Sequence, residues 1–485
     1  MKRRAEIFAL ALILATALGV RLYFLTAGPN ALSDEYEGFS KLHLMLQWAD
    51  QPSHYPDVNF GPLHTVLLWL PYRLTGHVVF PGRLLTLLFG LLLFLPAYRL
   101  IGRHCGPVAA LAGAWLLAWL YPLAAASVVT LAEVPFVFFT LLAIDLLDDF
   151  TADPAGKRPL LFGAALAATA AAACRFEGWP LLPLYAVYLG CGRRRREFWW
   201  FAAALAVFPL AHLVVSYRDH GDPLGFIKIS AAVTAINAAR VPLADRVWLL
   251  PKALTETIGW PGLVLGAAGA SAALWRRKMI LPLAALVVQF ALLEKKSIDA
   301  SLDPTLLRYT TLLGALLALF VGVLPAAGRW STDRGRRLAV VAVFVLAGWA
   351  AWATQQNALR ESHRLAQSFE VFELTARLRA ELSPDDRVLL GDEYHPVIVV
   401  DSERSWRCFR RLVVTNEGHD VPPQISLADV AAWAPTAILL DRTEAKFQNA
   451  LRIGDEPEIN LGGRTYRRLW QIKRWSFFRV MEGGA

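Results

Sequence analysis

Apolar runs long enough to cross about 30 Å of hydrocarbon recur along the first three quarters of the chain, with polar residues gathered between them. About eleven spans are expected, with ends uncertain by a few residues. They lie near Ile7–Thr26, Arg83–Ile101, Pro107–Leu123, Val134–Leu147, Leu160–Ala173, Pro180–Gly190, Phe198–Tyr217, Thr257–Trp275, Ile280–Leu293, Leu306–Ala326 and Leu338–Ala353. The first run is too long for a cleavable leader, and no small-x-small cleavage site precedes Ser33. The gap from Ala27 to Gly82 is too long for a simple connector. It holds Phe39-x-x-Leu42-x-x-Met45-Leu46-x-Trp48 and Leu63-x-x-Val66-Leu67-x-x-Leu70, two stripes of spacing three and four. Each predicts a helix lying flat at the membrane interface, a depth that suits Trp48, Trp69 and Tyr72. The gaps Arg218 to Glu256 and Glu294 to Thr305 are the other long ones on that side.

Past the last run the period changes. Phe369, Phe372, Leu374, Leu378 and Leu382 form a helical stripe. Arg387–Gly391, Val397–Val400 and Thr436–Leu440 read as short buried strands, and Tyr466–Val480 as a hairpin. The expected fold class is therefore a polytopic α-helical membrane protein over 1–354, followed by a soluble α/β domain over 355–485.

Composition agrees: 56% of residues are hydrophobic and only 18% charged, too apolar for a soluble chain of this length. The net charge of +9 is a topological signal. Lys2-Arg3-Arg4, Arg99 with Arg103, Lys157-Arg158, Arg193 to Arg196, Arg276-Arg277-Lys278, and Arg329 with Arg334, Arg336 and Arg337 fall in alternate loops. That side is cytoplasmic by the positive-inside rule, so the N-terminus is cytoplasmic and the long gaps and the tail are extracytoplasmic. Anionic lipid is the alternative target of these runs, and no nucleic-acid partner is implied. Cys105, Cys174, Cys191 and Cys408 have neither metal-ligand nor disulfide spacing.

Ser33-Asp34-Glu35-Tyr36 follows the first span directly. A carboxylate at a membrane surface suits a general base that takes a proton from an acceptor hydroxyl. A second carboxylate raises the pKa of the first or orients the acceptor. The same residues also fit a capping box, with Asp34 as N-cap and Glu37 at the third helical position. Glu133 stands at the edge of a span, where an ionisable residue is costly unless paired or functional. It either lines a site or pairs with Arg175 to lock two helices. Arg175 and Glu177 flank a hairpin and also fit as a pair with each other. Arg308 either snorkels or holds an anion through its planar donor fork. Lys295 and Lys296 are further cations on a side that is otherwise poor in them.

Asp34-Glu35, Phe60-Gly61-Pro62-Leu63-His64, Thr130-Leu-Ala-Glu133-Val-Pro-Phe, Arg175-Phe-Glu177-Gly-Trp179 and Leu307-Arg308-Tyr309 occur in that order. Together with the hydropathy they resemble the GT-C superfamily of multispan glycosyltransferases, over roughly Ile7 to Ala353. Within it the chain is similar to glycosyltransferase family 39, which holds protein O-mannosyltransferases and bacterial lipid A aminoarabinose transferases. The resemblance implies inverting transfer of a sugar from a polyprenyl-phosphate carrier to a lipid, glycan or protein acceptor, at the outer face of the cytoplasmic membrane. It makes Asp34 the base with Glu35 beside it, and Glu133, Arg175, Glu177, Arg308, Tyr309, His64 and Lys295 substrate-binding residues. Relatives often carry a basic residue where Phe60-Gly61 stands here, leaving His54 or His64 as substitutes. Asp34-Glu35 lacks an Asp-x-Asp spacing, so no obligatory divalent ion is expected.

Two other readings stand beside this one. A lipid transporter or flippase should carry an internal repeat or paired broken spans, and neither is evident. A noncatalytic envelope scaffold has no use for ionisable residues at helix ends.

Overall fold

The computed structural model describes residues 3–26, 32–50, 55, 61–152, 157–191, 195–228, 242–299, 307–327, 369–391, 396–413, 424–442 and 456–481, with isolated helical stretches between 337 and 356. They fall into two compact units. One comprises Met1–Asp34, Pro52–Gly76 and Phe80–His363, the other Glu35–Gln51, His77–Val79 and Arg364–Ala485.

The larger unit is helical: α1 (Arg3–Thr26), α3 (Pro62–Thr75), α4 (Val79–Leu92), α5 (Phe94–Cys105), α6 (Pro107–Trp119), α7 (Tyr121–Ala126), α8 (Glu133–Ala152), α9 (Arg158–Cys174), α10 (Leu181–Cys191), α11 (Arg195–His220), α12 (Leu243–Trp275), α13 (Ile280–Ile298) and α14 (Thr311–Val321). Every residue of α14 is buried, as is most of α6, so these two apolar helices form the core that the others surround. The outward faces are apolar too: Phe8, Leu12, Val207, Leu210, Val214 and Val264 are each more than half exposed. Water would not tolerate so much contiguous apolar surface. Five helical stretches, Arg4–Leu25, Val79–Cys105, Arg196–His220, Leu243–Trp275 and Arg308–Ala326, are long and apolar enough to cross a bilayer. This is a multi-pass membrane protein. The remaining expected spans fall on shorter or more charged helices, and Leu338–Ala353 is described only in part.

Two span boundaries differ from expectation. The run Pro107–Leu123 breaks after Trp119, where Leu120 turns extended (ψ 105°). Pro122 has no N–H to return to the carbonyl four residues back, that of Ala118, so a continuous helix would lose a bond there. The helix expected from Thr257 begins instead at Leu243 and kinks at Gly259, where φ is 74°.

The smaller unit is a seven-stranded sheet in the order β3-β2-β1-β4-β7-β6-β5, formed by β1 (Val388–Gly391), β2 (Phe409–Val413), β3 (Gln424–Ser426), β4 (Ala437–Asp441), β5 (Glu458–Leu461), β6 (Arg464–Ile472) and β7 (Trp475–Val480). The four strands from β3 to β4 pair in parallel, and β7, β6 and β5 add antiparallel pairs. Val397–Val400, expected as a strand, is instead part of the helix α16 (Pro396–Asp401), which packs against α15 (Phe369–Glu381). A four-residue apolar run does not distinguish the two states, and a proline in the first turn favours the helix. The unit also holds α2 (Leu32–Asp50) over Glu35–Gln51. Asp50 Oδ2 accepts from Trp406 Nε1 (2.7 Å) and pairs with Arg407 Nε (3.1 Å), and the His43 ring lies 6.1 Å from that of Trp406.

Candidate active site

Chain breaks at three helix ends deliver the charged residues. Helix α9 stops at Cys174, and Arg175 is extended (φ −149°, ψ 138°) with its N–H still bonded to the Ala171 carbonyl. One 3-10 turn over Phe176–Gly178 follows before Pro180 and α10. Gly61 makes this bend possible, because a Cβ there would overlap the Cys174 carbonyl as α3 abuts the end of α9. Its lack of a side chain is therefore a packing requirement at the Phe60-Gly61-Pro62 motif. Glu133 opens α8, where the positive end of the helix dipole favours a carboxylate. Arg308 and Tyr309 lie in a 3-10 turn, Leu307–Thr310, that leads into α14.

These elements bring five ionisable residues into one network. Arg175 Nη1 donates to Glu133 Oε1, and Arg175 Nε lies 3.1 Å from Glu177 Oε2. Lys296 Nζ, on α13, is 2.9 Å from Glu177 Oε1, and Arg308 Nε is 3.8 Å from Glu133 Oε1. The Tyr309 ring receives both guanidinium groups, at 5.1 Å from Arg175 and 5.4 Å from Arg308. Gln289 Nε2 fixes the Glu177 carbonyl at 2.5 Å. The carboxylates and both arginines are nearly closed to solvent, with side-chain exposures of 4% for Glu133, 7% for Arg308, 13% for Glu177 and 16% for Arg175.

Burial opposes ionisation of Glu177, but Arg175 and Lys296 override it and hold the carboxyl below the ordinary range. Burial likewise opposes the Arg175 charge, and Glu133 with Glu177 raises its pKa above the usual guanidinium value. Among the described residues the network joins three cations, Arg175, Lys296 and Arg308, to two carboxylates in a nearly closed site. Guanidinium and ammonium donors gathered in a largely buried site suit an anionic ligand.

Of the residues singled out from the sequence, Glu133, Arg175, Glu177, Arg308 and Tyr309 converge here. The alternatives weighed for Arg175 are both realised, since it pairs with Glu133 and with Glu177. Lys295 does not join them: it is exposed and pairs with Asp299 one turn along, while Lys296 points inward. The turn of α13 decides which of two adjacent lysines enters, and the sequence carried no signal for it. His64 is buried in the first turn of α3. Asp34 and Glu35 lie in the first turn of α2, which begins at Leu32, so Asp34 does not occupy the N-cap. Their side chains lie outside the described residues, as does His54.

The family of dolichyl-phosphate-mannose-protein mannosyltransferases matches residues 55–217. Over 98% of both chains the fold is similar to ArnT from Cupriavidus metallidurans, solved in the apo state and bound to undecaprenyl phosphate (TM-score 0.71, 14% identity). It is also similar to the Archaeoglobus fulgidus oligosaccharyltransferase (TM-score 0.53, 13% identity), covering 83% of this chain and 64% of that one. The same archaeal enzyme, AglB, in complex with an inhibitory peptide and a dolichol-phosphate gives a TM-score of 0.52 at 11% identity, covering 91% and 70%. No curated protein sequence matches. The chain is a membrane protein of the GT-C fold, carrying a β-rich C-terminal domain. That fold is the one of the GT-C superfamily of membrane glycosyltransferases, as the order of its motifs implied.

Proposed function

We infer that the protein is an inverting glycosyltransferase, moving a hexose or pentose from a polyprenyl-phosphate carrier to a lipid, glycan or protein acceptor at the outer face of the cytoplasmic membrane. The observation that carries this reading is the convergence of Arg175, Lys296 and Arg308 with Glu133 and Glu177 in one largely buried network. A phosphate leaving group suits these cations, and Arg308 is its first contact through the guanidinium fork. Undecaprenyl phosphate in ArnT and dolichol-phosphate in AglB support a lipid phosphate as the ligand class.

In the proposed reaction the acceptor oxygen attacks the anomeric carbon and its proton passes to the Asp34 carboxylate, with Glu35 assisting. The bond from the anomeric carbon to the phosphate oxygen breaks, and its electron pair stays on the carrier phosphate. The cationic cluster stabilises that developing charge in a site largely closed to water. Arg175 and Tyr309 hold the cluster in place, and His64, buried close to the α9 bend, belongs to its wall. No step is routed through a divalent ion. The domain division follows the same reading, with catalysis in 1–354 and the extracytoplasmic domain in 355–485.

The test is incubation of purified protein with a panel of polyprenyl-phosphate sugars and measurement of released carrier. Asp34→Asn is expected to abolish release while leaving binding of polyprenyl phosphate intact. Normal turnover by that variant removes the base assignment, and absence of both release and carrier binding in the wild type removes the function.

A further inference from the structure

Arg21 is a fully buried arginine in α1 that the network around Glu133 does not use. Among the described residues no carboxylate pairs with it, and its Nη2 has no hydrogen-bond partner. An ionisable side chain inside a membrane helix is costly unless its surroundings compensate it, which makes it a marker of function. The compensation here is backbone. Arg21 Nη1 donates to the Ala118 carbonyl (3.5 Å), in the last turn of α6, and to the Ala17 carbonyl one turn back in its own helix (3.1 Å). The Ala118 carbonyl is the group that Pro122 leaves without a partner, and a helix C-terminus favours a cation.

Arg21 Nε donates to Ser127 Oγ at 3.2 Å, while that hydroxyl donates onward to the Leu123 carbonyl at 2.6 Å. The guanidinium also lies 5.5 Å from the Phe94 ring centroid. Gly90 closes the arrangement: a Cβ on it would strike Ser127 Oγ and stand 3.2 Å from Arg21 Nε. Ser127 begins the stretch Ser127–Ala132, a buried non-helical connection that ends where Glu133 opens α8. Such backbone survives within a helical bundle only when its polar groups find partners inside the protein. One side chain therefore ties α1 to the end of α6 and to the start of that connection.

We propose that Arg21 is a positioning residue for the Glu133 cluster, clamping the connection that sets where Glu133 meets Arg175 and Arg308. Its effect on carrier binding rests on the function inferred above. Its effect on the Glu133 ion pairs does not.

The experiment is a double-mutant cycle of Arg21→Met and Glu133→Gln, read by binding of polyprenyl phosphate and by the thermal unfolding midpoint. Each single variant should weaken carrier binding by about tenfold, with the double variant no worse than the weaker single, as coupled residues behave. The unfolding midpoints should be non-additive in the same sense, and this readout needs no ligand. Arg21→Lys should recover part of the binding by restoring a cation at the Ala118 carbonyl, and Ser127→Ala should lose less than Arg21→Met. If the folded fraction of Arg21→Met binds carrier as tightly as wild type, or if both cycles are additive, Arg21 is only a structural clamp and the proposal fails. If wild type binds no carrier yet the unfolding cycle is coupled, the clamp stands and the inferred function falls.

Discussion

Helix α8 carries charge at both ends, and the two ends differ. At its Asp148 end, Arg99 and Arg103 on α5 pair with Asp145, Asp148 and Asp149, and His104 Nε2 lies 2.9 Å from Asp148 Oδ2. Two neighbouring helices supply every member, and two arginines meet three aspartates, so acids outnumber the permanent cations. At the Glu133 end the members come from separate segments of the chain. The first network is neutralised from within and works as a staple between two helices. The second converges on one point from helix ends and turns, the arrangement expected of a ligand site rather than of a structural ion cluster.

The largest effect should come from Arg175→Met. It leaves Glu133 and Glu177 without their shared cation, and sugar release should fall by about 10²–10³-fold in kcat/KM. Arg103→Met at the other end should instead lower unfolding free energy by about 3 kcal/mol, while turnover per folded molecule stays at the wild-type level. Equal losses of turnover for the two variants would break the comparison. Gly61→Ala comes next. Its new methyl meets the Cys174 carbonyl beside Arg175, so it should cost about 1–3 kcal/mol of stability and lower turnover as well. Unchanged stability would show that α3 can shift away from α9. The two lysines sharpen the comparison within one helix: Lys296→Ala should weaken carrier binding by about tenfold, and Lys295→Ala should leave it unchanged. Direct binding measurements on both variants decide it.

The helical membrane architecture was legible because lipid demands long apolar runs, and those runs persist whatever the packing. The strands Val388–Gly391 and Ala437–Asp441 were legible as uninterrupted apolar runs, whereas Phe409–Val413, broken by Arg410 and Arg411, was not. Arg99 and Arg103 illustrate a different limit. Their placement reads as a topological signal, yet both are consumed in pairs with α8, because a basic side chain can mark a loop and staple a helix at once. Glu133, Arg175 and Arg308 stood out as ionisable residues beside apolar runs. Lys296 stood out only together with Lys295, and Gln289 not at all, because inward direction depends on how α13 is rotated about its axis. Arg21 lies inside the first expected span, Ile7–Thr26, and its burial against Ala118 and Ser127 depends on helix packing that a single apolar run does not reveal.

Acid provides the finest separation between the two regions. Arg175 and Lys296 hold the Glu177 carboxyl below its unfolded value of 4.5. Between the folded and unfolded values the unfolded chain binds more protons, so stability falls as pH drops through that window. The contribution of Glu177 is therefore fully present above pH 4.5 and lost progressively below it. Glu177→Gln should lower the unfolding midpoint near neutrality and flatten its acid limb between about pH 3 and pH 5, so that variant and wild type converge in acid. His104→Gln, at the opposite end of α8, should also flatten the acid limb, there by releasing Asp148, which His104 and Arg103 hold below its ordinary range against burial, and should leave carrier binding unchanged. An acid limb that persists unchanged in Glu177→Gln would mean that the carboxyl is not held by Arg175 and Lys296, and the network at the site would have to be redrawn.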